Sequence, residues 1–336
     1  MKMKQPDSPA DGAPVPTTVE RYTLAIDVGG SHITVALVSD EGVVEQSSFP
    51  LDASRGLRSY LDPASRAVGE LLGKVSDAAS HCTGVAMAVP LLVDSFEGRV
   101  VSAPRDKFGD ATGIDFHCWA SESFGLPIRL EVDAHAGCLG EWIYGAGRGC
   151  EDFVYVTLGT GYGTSVILRG KALRGRTSQA GILGGHLSVN AGGHQCVCPG
   201  RGCVEAETGT WALDGIIREH PDFSTSGLAR HERIDYRILI EEADAGDSLA
   251  QAMFERSLNY WAASLVNLTH AYNPARIVMA GSIMNAAERI IPHMNKFLRR
   301  QVWTASDYPE VVVASHRETS VLLGCRALFT HPIEYI

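Results

Sequence analysis

The sequence has few of the features that mark nucleic-acid-binding, disulfide-rich or membrane proteins. Its 29 Lys and Arg residues against 39 Asp and Glu residues give a formal net charge of −10, which argues against a basic nucleic-acid-binding surface. No apolar run approaches the roughly 20 residues of a membrane span. Eight cysteines in 336 residues are too few for a disulfide scaffold. We therefore expect no nucleic-acid partner, no membrane partner and a reducing, cytoplasmic environment.

The N-terminal segment also lacks the apolar run of a signal peptide, although it begins with basic residues. It is rich in Pro, Ala and Asp, so we expect residues 1–20 to form a disordered extension. The remainder has the 45% hydrophobic and 20% charged content of a globular protein that can bury a substantial core. Because 336 residues exceed an average domain, two domains are expected.

Neither of two glycine-rich motifs matches a common nucleotide-binding loop. The first glycine turn (Asp27–His32) and the second (Gly159–Gly163) each follow an apolar strand, but neither continues with Lys-Ser/Thr or opens a helix. Hairpin turns that need positive φ would explain either motif alone. Two motifs at matching places, one with an acid at the strand end, favour phosphate binding by backbone amides. Asp27 is then suited to hold Mg²⁺ through water.

The order of predicted elements is repeated along the chain, although no strict sequence repeat is present. Strand, glycine turn, strand, tight turn and strand begin at Tyr22 and again near Asp152. This repetition predicts an α/β protein of two related lobes that face one cleft. We also predict a helix with Asp62 as its N-cap, a buried strand that ends at Asp133, and a long helix stopped by Pro274.

Three clustered cysteines indicate a metal site. Cys196-x-Cys198-x₄-Cys203, with His186 ten residues ahead of Cys196, offers three thiolates and one imidazole, a tetrahedral Zn²⁺ set. Four protein ligands leave no open position, so we expect a structural zinc that supplies folding energy to a glycine-rich loop. A disulfide or free thiols is the alternative, and His194 is a rival fourth ligand. Five scattered cysteines are expected to be reduced: Cys82, Cys118, Cys138, Cys150 and Cys325.

Together these motifs resemble the ROK family of sugar kinases and repressors, over nearly the whole chain from about Tyr22. The resemblance is carried by Asp27-Val-Gly-Gly, Leu158-Gly-Thr-Gly, Gly185-His186 and the cysteine motif that ends at Glu205. It implies the actin-like, Hsp70-like ATPase fold: two lobes, built from duplicated ribonuclease H-like units, around an interdomain cleft. The implied small α/β domain comprises residues 21–133 and a C-terminal helix at about 319–336. The implied large α/β domain comprises residues 134–318, with a zinc-binding loop at 186–205, and a homodimer is expected.

The resemblance further implies a site for Mg·ATP and a sugar between the lobes. Asp133 stands where the catalytic base belongs, and a carboxylate there can accept the hydroxyl proton during phosphoryl transfer; the alternative is an N-cap of the following helix. His186 and Glu205 match sugar-binding residues, so the zinc would brace one wall of the sugar pocket. The residues expected to bind ATP and its phosphates are Asp27, Gly29, Gly30, Ser31, Gly159, Thr160, Gly161 and Gly281.

Three positions depart from the family pattern at the sugar. Val132 replaces an Asn, Leu183 replaces a Glu and Arg105 replaces an Asn. Loss of these hydroxyl-reading groups should weaken discrimination for glucose, so we expect an unusual hexose, an amino sugar or a cyclitol. The short N-terminal segment leaves little room for the DNA-binding domain of repressor members, which favours a kinase; a non-catalytic sugar-sensing regulator is the alternative. The expected substrate-binding residues are Arg105, Val132, Asp133, Leu183, His186 and Glu205.

Overall fold

The first half of the chain forms a five-stranded mixed sheet beside a two-stranded hairpin. The computed structural model describes residues 20–103, 107–305 and 307–336. Its first seven strands are β1 (Tyr22–Val28), β2 (His32–Ser39), β3 (Gly42–Pro50), β4 (Cys82–Val89), β5 (Leu92–Asp94), β6 (Arg99–Ser102) and β7 (Ile128–Val132). The sheet order is β3-β2-β1-β4-β7, with β1, β4 and β7 parallel and β2 and β3 antiparallel to their neighbours; β5 pairs with β6.

The second half repeats this sheet. Its strands are β8 (Phe153–Leu158), β9 (Tyr162–Leu168), β10 (Lys171–Ala172), β11 (Arg276–Ala280) and β12 (Glu310–Val313). The order β10-β9-β8-β11-β12 has the same sequence of antiparallel and parallel pairings as the first sheet. The predicted duplication of an α/β unit is therefore confirmed, and each glycine turn connects the first two strands of its sheet.

Ten α-helices surround the sheets in the part of the chain that the structure describes. They are α1 (Leu61–Leu72), α2 (Ala78–His81), α3 (Phe116–Phe124), α4 (Asp133–Tyr144), α5 (Val204–Thr208), α6 (Thr210–Arg218), α7 (Tyr236–Asp244), α8 (Ser248–Tyr272), α9 (Ala287–Gln301) and α10 (Ser320–Thr330). The prediction of Asp62 as an N-cap is wrong, because the 3₁₀ turn Arg58–Tyr60 runs into α1 and places Asp62 in its first turn. The predicted end of α8 is confirmed: Asn273 adopts φ 47° directly before Pro274.

Helices α4 and α10 pack against each other between the two sheets. A Cβ on Gly140 would lie 2.0 Å from the carbonyl oxygen of Ser320, and one on Gly324 would lie 1.7 Å from that of Ala136. Only glycine therefore permits the two backbones to approach this closely. Helix α10 contacts β1, β2 and β4 of the first sheet, and α4 contacts β8 and β9 of the second sheet as well as β4 and β7, so the helix pair connects the lobes.

Some expectations from the sequence are left without a structural test. The division into residues 21–133 plus 319–336 and residues 134–318 stays a prediction. Most of the 1–20 extension, and Arg105, lie outside the described residues. Among the residues that are described, no helix combines the length and apolar character required to cross a bilayer.

Candidate active site

A cavity of about 790 Å³ lies where the two glycine turns meet. Its floor is formed by the end of β7 and the start of α4, and one wall is formed by the 186–205 loop. Ten of the residues predicted to bind phosphate or substrate line this cavity: Gly29, Gly30, Val132, Asp133, Gly159, Thr160, Gly161, Leu183, His186 and Glu205. The structure thus brings together residues that are up to about 175 positions apart in sequence.

Close approach, and not backbone conformation, explains the glycines at positions 30 and 161 of the two turns. Neither turn contains a glycine with positive φ, so the interpretation as ordinary hairpin turns with left-handed residues is wrong. A Cβ on Gly30 would lie 2.8 Å from Oγ1 of Thr160, across the cleft in the other lobe. A Cβ on Gly161 would lie 2.7 Å from Oε2 of Glu205. Side chains at these positions would fill the cradle between the turns.

The second glycine turn is held by the last residue of the 186–205 loop and by residues shortly after that loop. Thr210 Oγ1 donates to the carbonyl oxygen of Gly159 at 2.8 Å, and the Trp211 amide donates to that of Thr160 at 3.2 Å. The Tyr162 amide donates to Glu205 Oε2 at 3.1 Å. Start residues of α5 and α6 therefore fix the turn from outside.

Three predicted phosphate-site residues do not line the cavity. Gly281 has φ 93° and packs beneath the second glycine turn, since a Cβ there would lie 2.1 Å from the carbonyl oxygen of Leu158. The Ser31 hydroxyl hydrogen-bonds Nδ1 of His32 at 2.9 Å on the exposed side of the first turn. Asp27, at the end of β1, is half-buried and interacts electrostatically with Asp133.

Burial and neighbouring negative charge raise the pKa of two aspartates at this place, Asp27 and Asp133. Burial, followed by the charge of Asp133, raises the pKa of Asp27 to about 7. Burial raises the pKa of Asp133 to about 6, with a further upward contribution from the charge of Glu205. The Ala134 amide, which donates to Asp133 Oδ1 at 2.7 Å, opposes that rise. Asp133 is the first residue of α4 and Val132 is its N-cap, so the N-cap alternative for Asp133 is wrong by one position.

The cluster of carboxylates has the donor chemistry of a magnesium site. Hard oxygen ligands on one or two carboxylates, with waters and substrate phosphates, are what Mg²⁺ usually takes. A divalent cation beside Asp27 and Asp133 would favour their ionised forms and offset the repulsion between them. The residues present therefore fit this ion.

The predicted metal ligands come together in one group. One ligand atom from each of His186, Cys196, Cys198 and Cys203 lies within 4.8 Å of all the others. Cys198 Sγ is 3.6 Å from Cys203 Sγ, and Cys196 Sγ is 3.5 Å from His186 Nδ1. Tetrahedral zinc with Zn–S bonds of about 2.3 Å requires ligand separations of roughly 3.8 Å. All eight cysteines lie in the described part of the chain and are free.

His194 faces away from this group. Its Nδ1 lies 3.0 Å from Oε2 of Glu207, a fully buried carboxylate that also pairs with Arg256. The His194 amide donates to Oε1 of the same carboxylate at 2.8 Å. The rival fourth ligand is therefore occupied by an ion-paired network, and the donor set consists of His186 and the three cysteines.

Several cavity residues were not singled out from the sequence. Lys107, Phe108, Val197 and Trp211 line the cavity with the predicted residues. Val197 lies inside the cysteine motif, and Trp211 is the second residue of α6, yet neither has a local pattern that identifies a ligand contact. Their positions follow from the path of the loop in three dimensions.

Three curated proteins are similar in sequence to most of this chain. Glucokinase of Thermotoga maritima is 29% identical over 317 residues, which are 92% of this chain and 98% of the relative. Kanosamine kinase of Amycolatopsis mediterranei is 26% identical over 82% of this chain and 86% of its own. The xylose repressor of Bacillus subtilis is 23% identical over 84% of this chain and 70% of its own.

A solved structure and a family model agree with these relatives. A ROK family glucokinase from Streptomyces griseus, in complex with glucose and AMPPNP, matches with a TM-score of 0.77 at 24% identity. The match covers 92% of this chain and 99% of that one. The ROK family model matches residues 23–331, nearly the whole described chain. The chain therefore belongs to the ROK family.

Proposed function

We propose that the chain is a Mg·ATP-dependent kinase that transfers the γ-phosphate to a hydroxyl of a sugar or sugar-like substrate. The observation that carries the proposal is the position of Asp133 at the floor of a cavity closed by both glycine turns. Both sequence-related kinases named above cover most of this chain, and a phosphotransferase needs this combination of an anion cradle and a nearby proton acceptor.

The two glycine turns are proposed to hold the nucleotide phosphates. The absence of side chains at Gly30 and Gly161 leaves backbone amides accessible in a space that a Cβ would fill. When bound, Mg²⁺ would neutralise phosphate charge, and Asp27 with Asp133 offers it carboxylate oxygens. Gly281, below the second turn, is assigned to the nucleotide side of the site, and Ser31 to the outer edge of the first turn.

Asp133 is proposed to act as the general base. Its carboxylate accepts the proton of the substrate hydroxyl while the alcohol oxygen attacks the γ-phosphorus and ADP leaves. A positioned base of this kind contributes typically ~10²–10⁴-fold in rate. Its pKa of about 6 makes it mostly ionised at neutral pH, as a proton acceptor must be.

A structural zinc is proposed to shape the sugar side of the pocket. Because Nδ1 of His186 faces the cysteine sulfurs while His186 also lines the cavity, its other ring nitrogen is available to a sugar hydroxyl. Glu205 lies two residues beyond Cys203 and reaches both the cavity and the second glycine turn. A metal that fixes Cys203 would therefore fix Glu205 as well.

The wall of the pocket supports a substrate other than plain glucose. Val132 and Leu183 both line the cavity and offer only apolar atoms to a ligand. A site without hydroxyl-reading groups at these places loses its ability to prefer a fully hydroxylated hexose. We propose an unusual hexose, an amino sugar or a cyclitol, and similarity to a kanosamine kinase supports the amino-sugar class.

A panel of hexoses, amino sugars and cyclitols, assayed with MgATP for ADP formation, tests the proposal. We expect turnover with at least one compound and a preference over glucose; glucose as the best substrate would overturn the substrate class. Asp133→Asn should lower kcat about 10³-fold while ATP binding, measured by calorimetry, stays within a few fold. Asp62→Asn, on the surface helix α1, is the matched control and should leave kcat unchanged.

A sugar-sensing regulator is the second candidate. Similarity to a xylose repressor and the apolar residues Val132 and Leu183 favour it. Tight binding of a panel compound without ADP formation under any nucleotide condition would support this function over the kinase. We further propose that the chain forms a homodimer and divides into the two domains given above; sedimentation velocity tests the first and limited proteolysis the second.

A further inference from the structure

A buried ion pair joins the two lobes directly behind Asp133. Glu131 on β7 and Arg174, two residues beyond β10, are each 1% exposed. Arg174 Nη1 donates to Glu131 Oε1 at 3.0 Å, and Nη2 donates to Oε2, so the guanidinium engages the carboxylate with both terminal nitrogens. Because β7 is an edge strand of the first sheet and β10 of the second, this pair crosses from one lobe to the other.

The same carboxylate holds the backbone that leads to Asp133. The Val132 amide donates to Glu131 Oε1 at 2.7 Å, and Val132 immediately precedes Asp133. The Ser95 hydroxyl donates to that oxygen at 3.1 Å and lies 3.2 Å from Arg174 Nη1. The peptide beside Asp133 is therefore tied to a residue of the opposite lobe through one buried carboxylate.

The pair is ionised and is shielded from water. Burial acts to raise the pKa of Glu131, but the Arg174 charge and the hydrogen bonds outweigh it, and the pKa is lowered overall. Burial of His135 on α4 lowers its pKa to about 3, so this neighbour is neutral. Tyr335 covers Arg174, with the guanidinium carbon 4.9 Å from the ring centroid.

Stability alone gives little reason to keep such a pair. Removing two charges from water costs several kcal/mol per ion, and well-packed apolar residues of similar volume are often as stable or more stable. A bidentate guanidinium–carboxylate contact does supply fixed geometry, because the planar fork matches the carboxylate at two points. The Glu131–Arg174 pair lies one peptide away from the proposed base and spans the two lobes. Fixed geometry at this place would affect catalysis through the orientation of Asp133.

We propose that Arg174 is a positioning residue, which acts through Glu131 to hold the Val132–Asp133 backbone and aim the Asp133 carboxylate into the cavity. The proposal rests on the proposed role of Asp133. Arg174 can engage Glu131 only when the lobes have the separation seen here, so the contact also links the arrangement of the lobes to the orientation of the base.

The test is the double variant Glu131→Met/Arg174→Met, because either single change would leave one charge buried without its partner. We expect a melting temperature close to that of the unmodified protein, kcat lowered about 10²-fold through misplacement of the base, and KM for MgATP within a few fold. Arg174→Lys, which keeps the charge and loses the planar fork, should give an intermediate kcat. Unchanged kcat in both variants would overturn the proposal.

A matched control separates positioning from general loss of a buried arginine. Arg326 on α10 is also 1% exposed and pairs with Asp40 at the opposite end of the first sheet from the cavity. Arg326→Met should lower the melting temperature and leave kcat unchanged. An equal loss of kcat in this control would show that the effect in the double variant is merely structural.

Amide hydrogen exchange gives a second readout that does not require activity. In the double variant and in Arg174→Lys, exchange of the Val132 and Ala134 amides should accelerate at least tenfold, whereas exchange in β11 should not change. Unaltered protection at both amides would overturn the positioning role. If the unmodified protein phosphorylates no compound of the panel, the proposed function fails, yet this exchange result still decides whether Arg174 holds the backbone at Asp133.

Discussion

The two glycine turns occupy equivalent places in sheets of equal topology, but they are held in different ways. In the first turn the Gly29 amide donates to the carbonyl oxygen of His32 at 2.9 Å, and the Leu51 amide, directly after β3, donates to that of Ser31 at 2.7 Å. The second turn receives hydrogen bonds from Thr210 and Trp211 and presents an amide to Glu205. Each turn has one internal backbone hydrogen bond, since the Gly159 amide donates to the carbonyl oxygen of Gly161 at 3.1 Å in the second. The first turn is otherwise held by the residue after its own third strand, and the second by helices of a long insertion.

This difference follows from what each copy inserts between its third and fourth strands. In the first sheet the insertion between β3 and β4 contains the short helices α1 and α2. In the second sheet the insertion between β10 and β11 contains the metal-ligand group and helices α5 to α8. The duplicated units have similar turns, and the longer insertion holds one of these turns and forms one wall of the cavity.

Removal of a cysteine ligand should lower kcat/KM more than any other change considered below, and it should disturb the second glycine turn but not the first. Cys203→Ser leaves three ligands and frees the segment that carries Glu205, so we expect more than about 10²-fold loss of kcat/KM and loss of bound zinc by elemental analysis. Cys118→Ser, at an exposed cysteine on α3, is the control and should retain both. Full activity in a metal-free Cys203→Ser protein would contradict the proposed support of the turn.

Substitution of alanine for Gly30 and for Gly161 compares the two turns directly, because each glycine lies close to a side chain from another segment. Gly161→Ala collides with a carboxylate that is anchored to the turn, so kcat should fall roughly 10²-fold. Gly30→Ala meets the Thr160 side chain of the opposite lobe, which separation of the lobes can relieve. We therefore expect a smaller loss, about tenfold, seen mainly as a higher KM for MgATP.

The control for both alanine variants is Gly215→Ala on α6. Apart from its chain neighbours and the nearby backbone of α6, a Cβ at that position would meet no described atom within 4 Å, and alanine is the better helix former. Activity should therefore be unchanged. The comparison between the turns fails if Gly30→Ala is the more damaging of the two by steady-state kinetics.

The pH dependence of kcat/KM should report the ionisation of Asp27, at the end of β1, and of Asp133, at the start of α4. Since Asp133 has a pKa of about 6 and Asp27 of about 7, kcat/KM should fall as pH drops below about 7, in coupled steps. The raised pKa of Asp27 means that the folded state binds its proton more tightly than the unfolded state, so its ionisation costs stability as pH rises. Asp27→Asn should accordingly melt about 2 °C higher than the unmodified protein at pH 8 and equally near pH 4.

A melting curve with the opposite pH trend would show that Asp27 is stabilised as a carboxylate in the free protein. The measurement is made without nucleotide or added magnesium, because a bound cation would reverse the preference. Differential scanning fluorimetry across this pH range is sufficient.

Loss of a single outside hydrogen bond to the second turn should have the smallest effect. Thr210→Val keeps the shape of the side chain and removes the donor to Gly159, a contact worth about 1 kcal/mol. We expect about a fivefold increase in KM for MgATP and an unchanged kcat. An effect as large as that of Cys203→Ser would place the main support of the turn at α6 and not at the 186–205 loop.

Much of the site could be predicted from local patterns. Each glycine turn lies between two apolar strands, and the spacing of Cys196, Cys198 and Cys203 specifies a metal set. The reason for the glycines could not be predicted, because the neighbours of Gly30 and Gly161 are Thr160 and Glu205, which are close only in the folded chain. An acid within a buried strand, as at Glu131, was a signal that a buried partner must exist, but nothing in the sequence identified Arg174.

The sequence by itself determined the two α/β units, the order of their strands and the chemistry of the donor sets, because strand periodicity, turn residues and ligand spacing are local properties of the chain. Tertiary structure alone decided which glycines face a side chain across the cleft, that His194 pairs with Glu207 in place of the metal group, and that Asp133 lies beside a buried pair shared by both lobes. These outcomes depend on contacts between distant segments, whose geometry is set by packing of α4 against α10 and by the course of the long insertion.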